Sequence, residues 1–129
     1  MMNKVYPAIF EQDTVGFGIY FPDVEGAVTQ AESIPEGLVM AADALGIMLA
    51  DLIEKDCPLP APTPINEITV DKQTQFVTLV AVNLADYLKE SQLDKKNVSI
   101  PHWLNVRAEK AGVNFSKTLI EALMDKLEV

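Results

Sequence analysis

Arginine is almost missing from this chain: Arg107 stands alone, and residues 1–90 hold none. Histidine, cysteine and tryptophan also occur once each, as His102, Cys57 and Trp103. A single cysteine excludes an intramolecular disulfide, and one cysteine with one histidine is too few for a Cys/His metal site. The acidic first two thirds contain no histidine, so no Ser/His/Asp set can be assembled there, and no glycine loop of the phosphate-cradling kind is present. Cys57 sits between Asp56 and Pro58 with only Lys55 as a close cation. It reads as an ordinary thiol rather than a nucleophile. No apolar run approaches the roughly 18 to 20 residues of a membrane span, and Met1-Met2-Asn3-Lys4-Val5 lacks the apolar core of a signal peptide. These absences predict a cytoplasmic protein with no membrane partner and no cofactor.

What the chain does have is acid, distributed unevenly. Its 129 residues, 49% apolar, suffice for one modest domain and a small module. Residues 1–90 carry four lysines against fourteen Asp and Glu, a net charge of −10, whereas 91–129 carry five lysines and Arg107 against five acids, a net of +1. The break predicts an acidic domain over 1–90 and a separate module over 91–129. It also implies partners of opposite sign, something basic for the first and a nucleic acid for the second.

In the acidic part, Tyr6-Pro7-Ala8-Ile9-Phe10 and Gly16 to Phe21 flank the polar run Glu11 to Thr14 and read as a hairpin. Phe17, Ile19 and Phe21 share one face of the second strand. Pro22 to Gly26 forms a turn and Ala27 to Ala31 a third strand. Ser33-Ile34-Pro35-Glu36 is a capping-box start for a helix whose Leu38, Ala41, Ala42, Leu45, Met48, Leu49 and Leu52 make one apolar stripe, with Asp43, Gly46 and Asp51 off it. Four prolines between Pro58 and Pro64 end that helix in an extended crossover; a proline-rich ligand for a partner module is the sharper alternative. Ile65 to Val70 and Gln75 to Leu84 then read as strands, the later one apolar on both faces and so a central strand or one facing a second subunit. The expected class is α+β, in the order β-β-β-α-β-β, with one helix laid across a small antiparallel-rich sheet. Asp13, Asp23, Glu25 and Asp71 fall in or near turns, where clustered acids can hold Mg²⁺, but chance alone supplies such placements and catalysis is not expected.

In the tail, Lys95 to Ile100 alternates: Lys96, Val98 and Ile100 form one set, and Lys95, Asn97 and Ser99 the other. A lone strand with two apolar side chains needs a partner strand, and the paired ribbon would present Lys95, Asn97 and Ser99 to the DNA major groove. An exposed edge strand is the plainer reading. Pro101 opens a helix at N1, Trp103 and Leu104 give it an apolar side, and Gly112 closes it. Asn114 caps a second helix over 115–127 whose Phe115, Leu119, Ile120, Ala122, Leu123, Met124 and Leu127 are too many for one amphipathic stripe, implying burial in a dimer. The backbone N–H groups of Phe115, Ser116 and Lys117, with a hydroxyl and an ammonium, would make a phosphate clamp. His102 reads as a surface or capping residue and Trp103 as core.

Strand, helix, glycine, helix is the layout of a ribbon-helix-helix module, and the whole chain resembles the HicB-like antitoxin family. The matching stretches are Phe21-Pro22-Asp23-Val24-Glu25-Gly26-Ala27-Val28-Thr29-Gln30, a helix entered through Ser33 to Glu36 and left through Pro58-Leu59-Pro60, and Asn97 to Leu104 with Asn114 to Lys117. The chain departs from the family at Glu25, Ala27 and Ala31, where a Pro-Gly-Cys run and a later Gly are usual. The resemblance implies a partial ribonuclease H-like β-β-β-α-β body without nuclease function that binds a HicA-type basic, mRNA-cleaving toxin. It further implies a tail that dimerises, with tetramers as a further step, and represses its own operon by binding operator DNA. Lys95, Asn97 and Ser99 map onto the family's base-facing positions, and Phe115, Ser116 and Lys117 onto its phosphate clamp; no toxin-contacting residue carries over. A stand-alone repressor whose acidic domain senses a ligand or drives oligomerisation is the alternative, followed by a nuclease remnant that still works.

Overall fold

A computed structural model describes residues 2–88 and 93–129. The chain divides into two compact units, one within 2–89 and one within 90–129. The boundary expected between 90 and 91 lies outside the described residues.

The first unit is a four-stranded antiparallel sheet in the order β3-β2-β1-β4, with β1 at Asn3–Gln12, β2 at Phe17–Tyr20, β3 at Val28–Ala31 and β4 at Gln75–Asn83. The expected hairpin is β1 with β2, in the register Phe10↔Ile19 and Gln12↔Phe17. One long helix, α1 (Ile34–Glu54), packs on the sheet. The Oγ of Ser33 accepts a hydrogen bond from the Glu36 amide and Pro35 sits in the first turn, so the start predicted from Ser33-Ile34-Pro35-Glu36 is the observed one.

The core lies between α1 and one sheet face. Phe10, Leu45, Leu49 and Leu84 are fully buried there with Ala8, Ile19, Phe21 and Val80 around them, and each large side chain so removed from water contributes about 1.5–3 kcal/mol. Phe10 stacks on Phe76 at 4.9 Å and meets Phe17 edge-on at 5.9 Å. Two glycines let the helix sit this close. A Cβ at Gly37 would lie 2.6 Å from the Phe10 ring, and one at Gly46 would lie 2.5 Å from Tyr87.

Three expectations for this unit are corrected. Gly46, placed off the apolar stripe, is buried beneath Tyr87, while Leu38, placed on it, is partly exposed. Ile65 to Val70 forms no strand: Pro64, with its fixed φ, starts a single 3-10 turn at Ile65–Glu67 in which the Glu67 amide donates to the Pro64 carbonyl at 2.9 Å. Of the two readings of β4, the central strand is corrected: the order β3-β2-β1-β4 places it at the sheet edge, and its Val77, Leu79 and Ala81 take the sheet face that α1 does not cover, with Leu79 53% exposed. Residue type reports apolarity, not whether a second layer exists.

The second unit holds α2 (His102–Lys110) and α3 (Phe115–Leu127). Gly112 adopts a φ of +72° just beyond α2, and the Asn114 side chain caps α3 by accepting from the Lys117 amide at 3.0 Å, both as expected. Pro101 is one position earlier than expected, at the N-cap of α2 rather than N1. Residues 93–100 form no strand in the single chain.

Candidate nucleic-acid interface

No described residue of the second unit is buried. Eleven large apolar side chains between Leu93 and Leu127 are exposed, among them Val98, Ile100, Trp103, Ile120 and Leu123. Trp103, expected in a core, is 61% exposed. The reason is local arithmetic: nine-residue and thirteen-residue helices joined by a short turn cannot enclose an interior between them, and helices of that length are marginal without packing.

Lys95, Asn97 and Ser99 are all exposed, as are Phe115, Ser116 and Lys117 in the first turn of α3. The phosphate clamp needs one correction, because the Lys117 amide already donates to Asn114 Oδ1 and is not free. The amides of Phe115 and Ser116 remain as the donors at the positive end of the α3 dipole, beside the Ser116 hydroxyl and the Lys117 ammonium. Asn114 thus fixes the start of the helix and caps its third amide, while the first two, as in any helix, have no acceptor within it.

Three of the four turn carboxylates singled out in the acidic unit, Asp23, Asp13 and Asp71, accept hydrogen bonds. Asp23 accepts from both the amide and the hydroxyl of Thr63, at 2.8 and 2.6 Å, and so ties the proline-rich crossover to the turn after β2. Tyr6 reinforces that tie by donating its hydroxyl proton to the Pro60 carbonyl. Burial first, and the Asp23 charge second, push the Tyr6 phenol above its ordinary value of 10.0. Asp13 accepts from the Thr14 amide, and Asp71 from the Gln73 amide, each stabilising its own turn. Among the described residues no group of three or more His, Cys, Asp or Glu could hold a metal ion, and no helix is long and apolar enough to cross a membrane.

The second apolar face of α1 escaped the sequence reading. Val39, Met40 and Ile47 lie off the stripe that packs on the sheet and are exposed. Their signal was present in the sequence as large apolar residues outside the three-and-four pattern.

Comparison with known proteins fits this two-part architecture. Residues 6–124 match the family model described as the HicB-like antitoxin of bacterial toxin–antitoxin systems. "Antitoxin HicB 2" of Photorhabdus laumondii is 35% identical over 69 residues, which span 54% of this chain and 50% of that protein. An uncharacterised 14.9 kDa protein of Haemophilus phage HP1 is 27% identical over 108 residues, covering 82% of this chain and 80% of its own. Among solved structures, a chain of a toxin–antitoxin complex from Streptococcus pneumoniae superimposes with a TM-score of 0.63 at 36% identity, over 97% of this chain and 99% of that one. The Burkholderia pseudomallei antitoxin HicB shares the fold, with a TM-score of 0.62 at 21% identity over 96% and 98% of the two chains. With a family match that runs through both units, this chain belongs to the HicB-like antitoxin family of bacterial toxin–antitoxin systems.

Proposed function

We propose that this antitoxin neutralises a HicA-type toxin through its acidic unit and represses its own operon through a dimeric ribbon-helix-helix tail. The observation that carries the second half is the tail's failure to bury any residue while exposing eleven large apolar ones. Two copies of such a helix pair, with residues 93–100 paired as a ribbon, would bury what one copy cannot. Lys95, Asn97 and Ser99 would then face base edges, and the Phe115 and Ser116 amides with the Lys117 ammonium would hold the DNA backbone. Two such dimers would join as a tetramer if the acidic units also associate.

The first half is supported by charge and kinship. The charge of −10 over residues 1–90 suits a basic partner that binds RNA, and a HicA3–HicB3 toxin–antitoxin complex contains a chain that shares the fold. The unit reads as a partial ribonuclease H-like body without nuclease activity, its best-placed turn carboxylate, Asp23, being committed to Thr63.

Co-expression of the chain with its neighbouring genes tests both halves. A stoichiometric small basic protein that is toxic alone and harmless with this chain, together with dimer-dependent binding to the chain's own promoter, is the expected result. An antitoxin that binds the promoter but protects against no neighbouring product would leave the stand-alone repressor in its place.

A further inference from the structure

α1 and β3 line two cavities along one edge of the acidic unit. The first, of about 260 Å³, is lined by Val28, Thr29, Met40, Ile47 and Met48, with Asp43 as its single charged group. The second, of about 340 Å³, is polar and is lined by Asp13, Gln30, Glu32 and Glu36. They adjoin in sequence as well as in the fold. Val28 and Thr29 of β3 serve the first, Gln30 and Ala31 of the same strand with the following Glu32 serve the second, and Glu36, Met40, Asp43 and Ile47 recur at spacings of three and four on one side of α1. From Glu36 to Ile47 the helix rises about 16 Å. The edge is therefore a strip, apolar at one end and carrying three carboxylates at the other.

Val28 and Ile47 are 65% and 54% exposed, and isolated surface residues of this kind need no explanation, but a set lining one concavity does. The apolar cavity is smaller than the roughly 300 to 1,000 Å³ of small-molecule sites, and fits one large side chain. None of Lys4, Lys55 and Lys72 lines either cavity. Among the described residues every charge along the strip is negative. A second copy of the acidic unit, or a nucleic acid, would bring more negative charge to it.

We propose that this α1–β3 strip is where the toxin docks: an apolar or aromatic side chain enters the Val28–Met40–Ile47 cavity, and flanking lysines or arginines meet Asp13, Glu32 and Glu36. The proposal rests on the antitoxin reading and adds the surface that the reading lacks. The apolar cavity is the anchor, since a desolvated pocket at an interface carries most of the binding energy. The carboxylates, exposed at its far end, set the encounter rate and the choice of a basic partner.

The test measures binding of the catalytically inactivated toxin from the co-expression experiment to the full-length antitoxin by calorimetry. Ile47→Lys should weaken binding about 100-fold or more. Glu32→Gln with Glu36→Gln should weaken it about tenfold at low salt and converge on the wild type at high salt. Leu79→Lys, an exposed position on the sheet face that α1 does not cover, should bind as the wild type does. Circular dichroism melts and promoter binding serve as fold controls, because Ile47 is a surface residue and its replacement leaves the core intact. Unchanged affinity in Ile47→Lys, or loss of binding in Leu79→Lys instead, would overturn the docking surface while leaving the antitoxin role standing. A wild-type chain that binds and neutralises no toxin would overturn that role, and the occupant with it.

Discussion

The two units of this chain have similar supplies of apolar residues and use them in opposite ways. Residues 2–88 wrap Phe10, Leu45, Leu49 and Leu84 out of reach of water; residues 93–129 bury nothing and display Trp103, Ile120 and Leu123. The difference lies in architecture. A sheet and a helix can enclose a layer between them, whereas two short helices in sequence have nothing to close against. A unit of the first kind has an interior, and one of the second kind has only surface.

The largest expected effect separates the units directly. Leu45→Ala should lower the unfolding free energy of the acidic unit by about 2–5 kcal/mol in urea titrations, while Leu123→Ala should leave that transition within about 0.5 kcal/mol of wild type. A large loss from Leu123→Ala in a dilute, monomeric sample would break the comparison by giving the tail a core of its own. Gly37→Ala gains helix propensity of about 1 kcal/mol but drives a methyl group into the Phe10 ring. It should destabilise the first unit by about 1–3 kcal/mol, and a stabilised variant would mean that the ring has room to move.

Asn97→Ala should weaken operator binding by about 1–3 kcal/mol with little effect on unrelated DNA; equal losses on both would reject base readout. Tyr6→Phe removes the bond to the Pro60 carbonyl and should cost about 1 kcal/mol. Because the folded state holds the Tyr6 phenol above 10.0, its contribution is complete below that pH and declines as the pH rises through the folded value. The phenylalanine variant should show a flatter alkaline fall in stability. The smallest effect is expected of Lys117→Ala, which should reduce the slope of log affinity against log salt by about 1 to 2 for a dimer. An unchanged slope would remove its ammonium from the clamp.

The parts of the fold that could be read from the sequence were those governed by neighbours along the chain. The strands β2 and β3, read as Gly16 to Phe21 and Ala27 to Ala31 and found at Phe17–Tyr20 and Val28–Ala31, the Ser33 start of α1, and the Gly112 and Asn114 signals at the helix ends all depend on local periodicity or capping. What could not be read depends on layers. Val77, Leu79 and Ala81 suggested burial on both faces, but the cover that buries Pro7 and Ile9 of β1 on that face leaves Leu79 and Ala81 exposed and Val77 half-buried. Gly46 looked like an off-stripe position because nothing in its own helix announces that Tyr87, forty-one residues later, lies on it. The α1–β3 strip was hidden for the same reason: Val28 and Ile47 meet at one cavity only after β3 and α1 have been brought together. The Lys117 amide was misread because the cap that fixes the helix also consumes one of its free donors.

β4's position at the sheet edge has a mechanical consequence. It bonds to β1 alone, from Gln75 opposite Glu11 to Asn83 opposite Asn3, and it is the last strand of the first unit. A force drawn through the chain from its C-terminal side meets this ladder at the Asn83 end and opens it one rung at a time, as a zipper does, rather than shearing all the rungs together. Each step then breaks few bonds, and the loss of β4 strips Val80 and Val82 from the core. The unit that holds the buried core is therefore mechanically weak toward any machine that unravels the molecule from its tail.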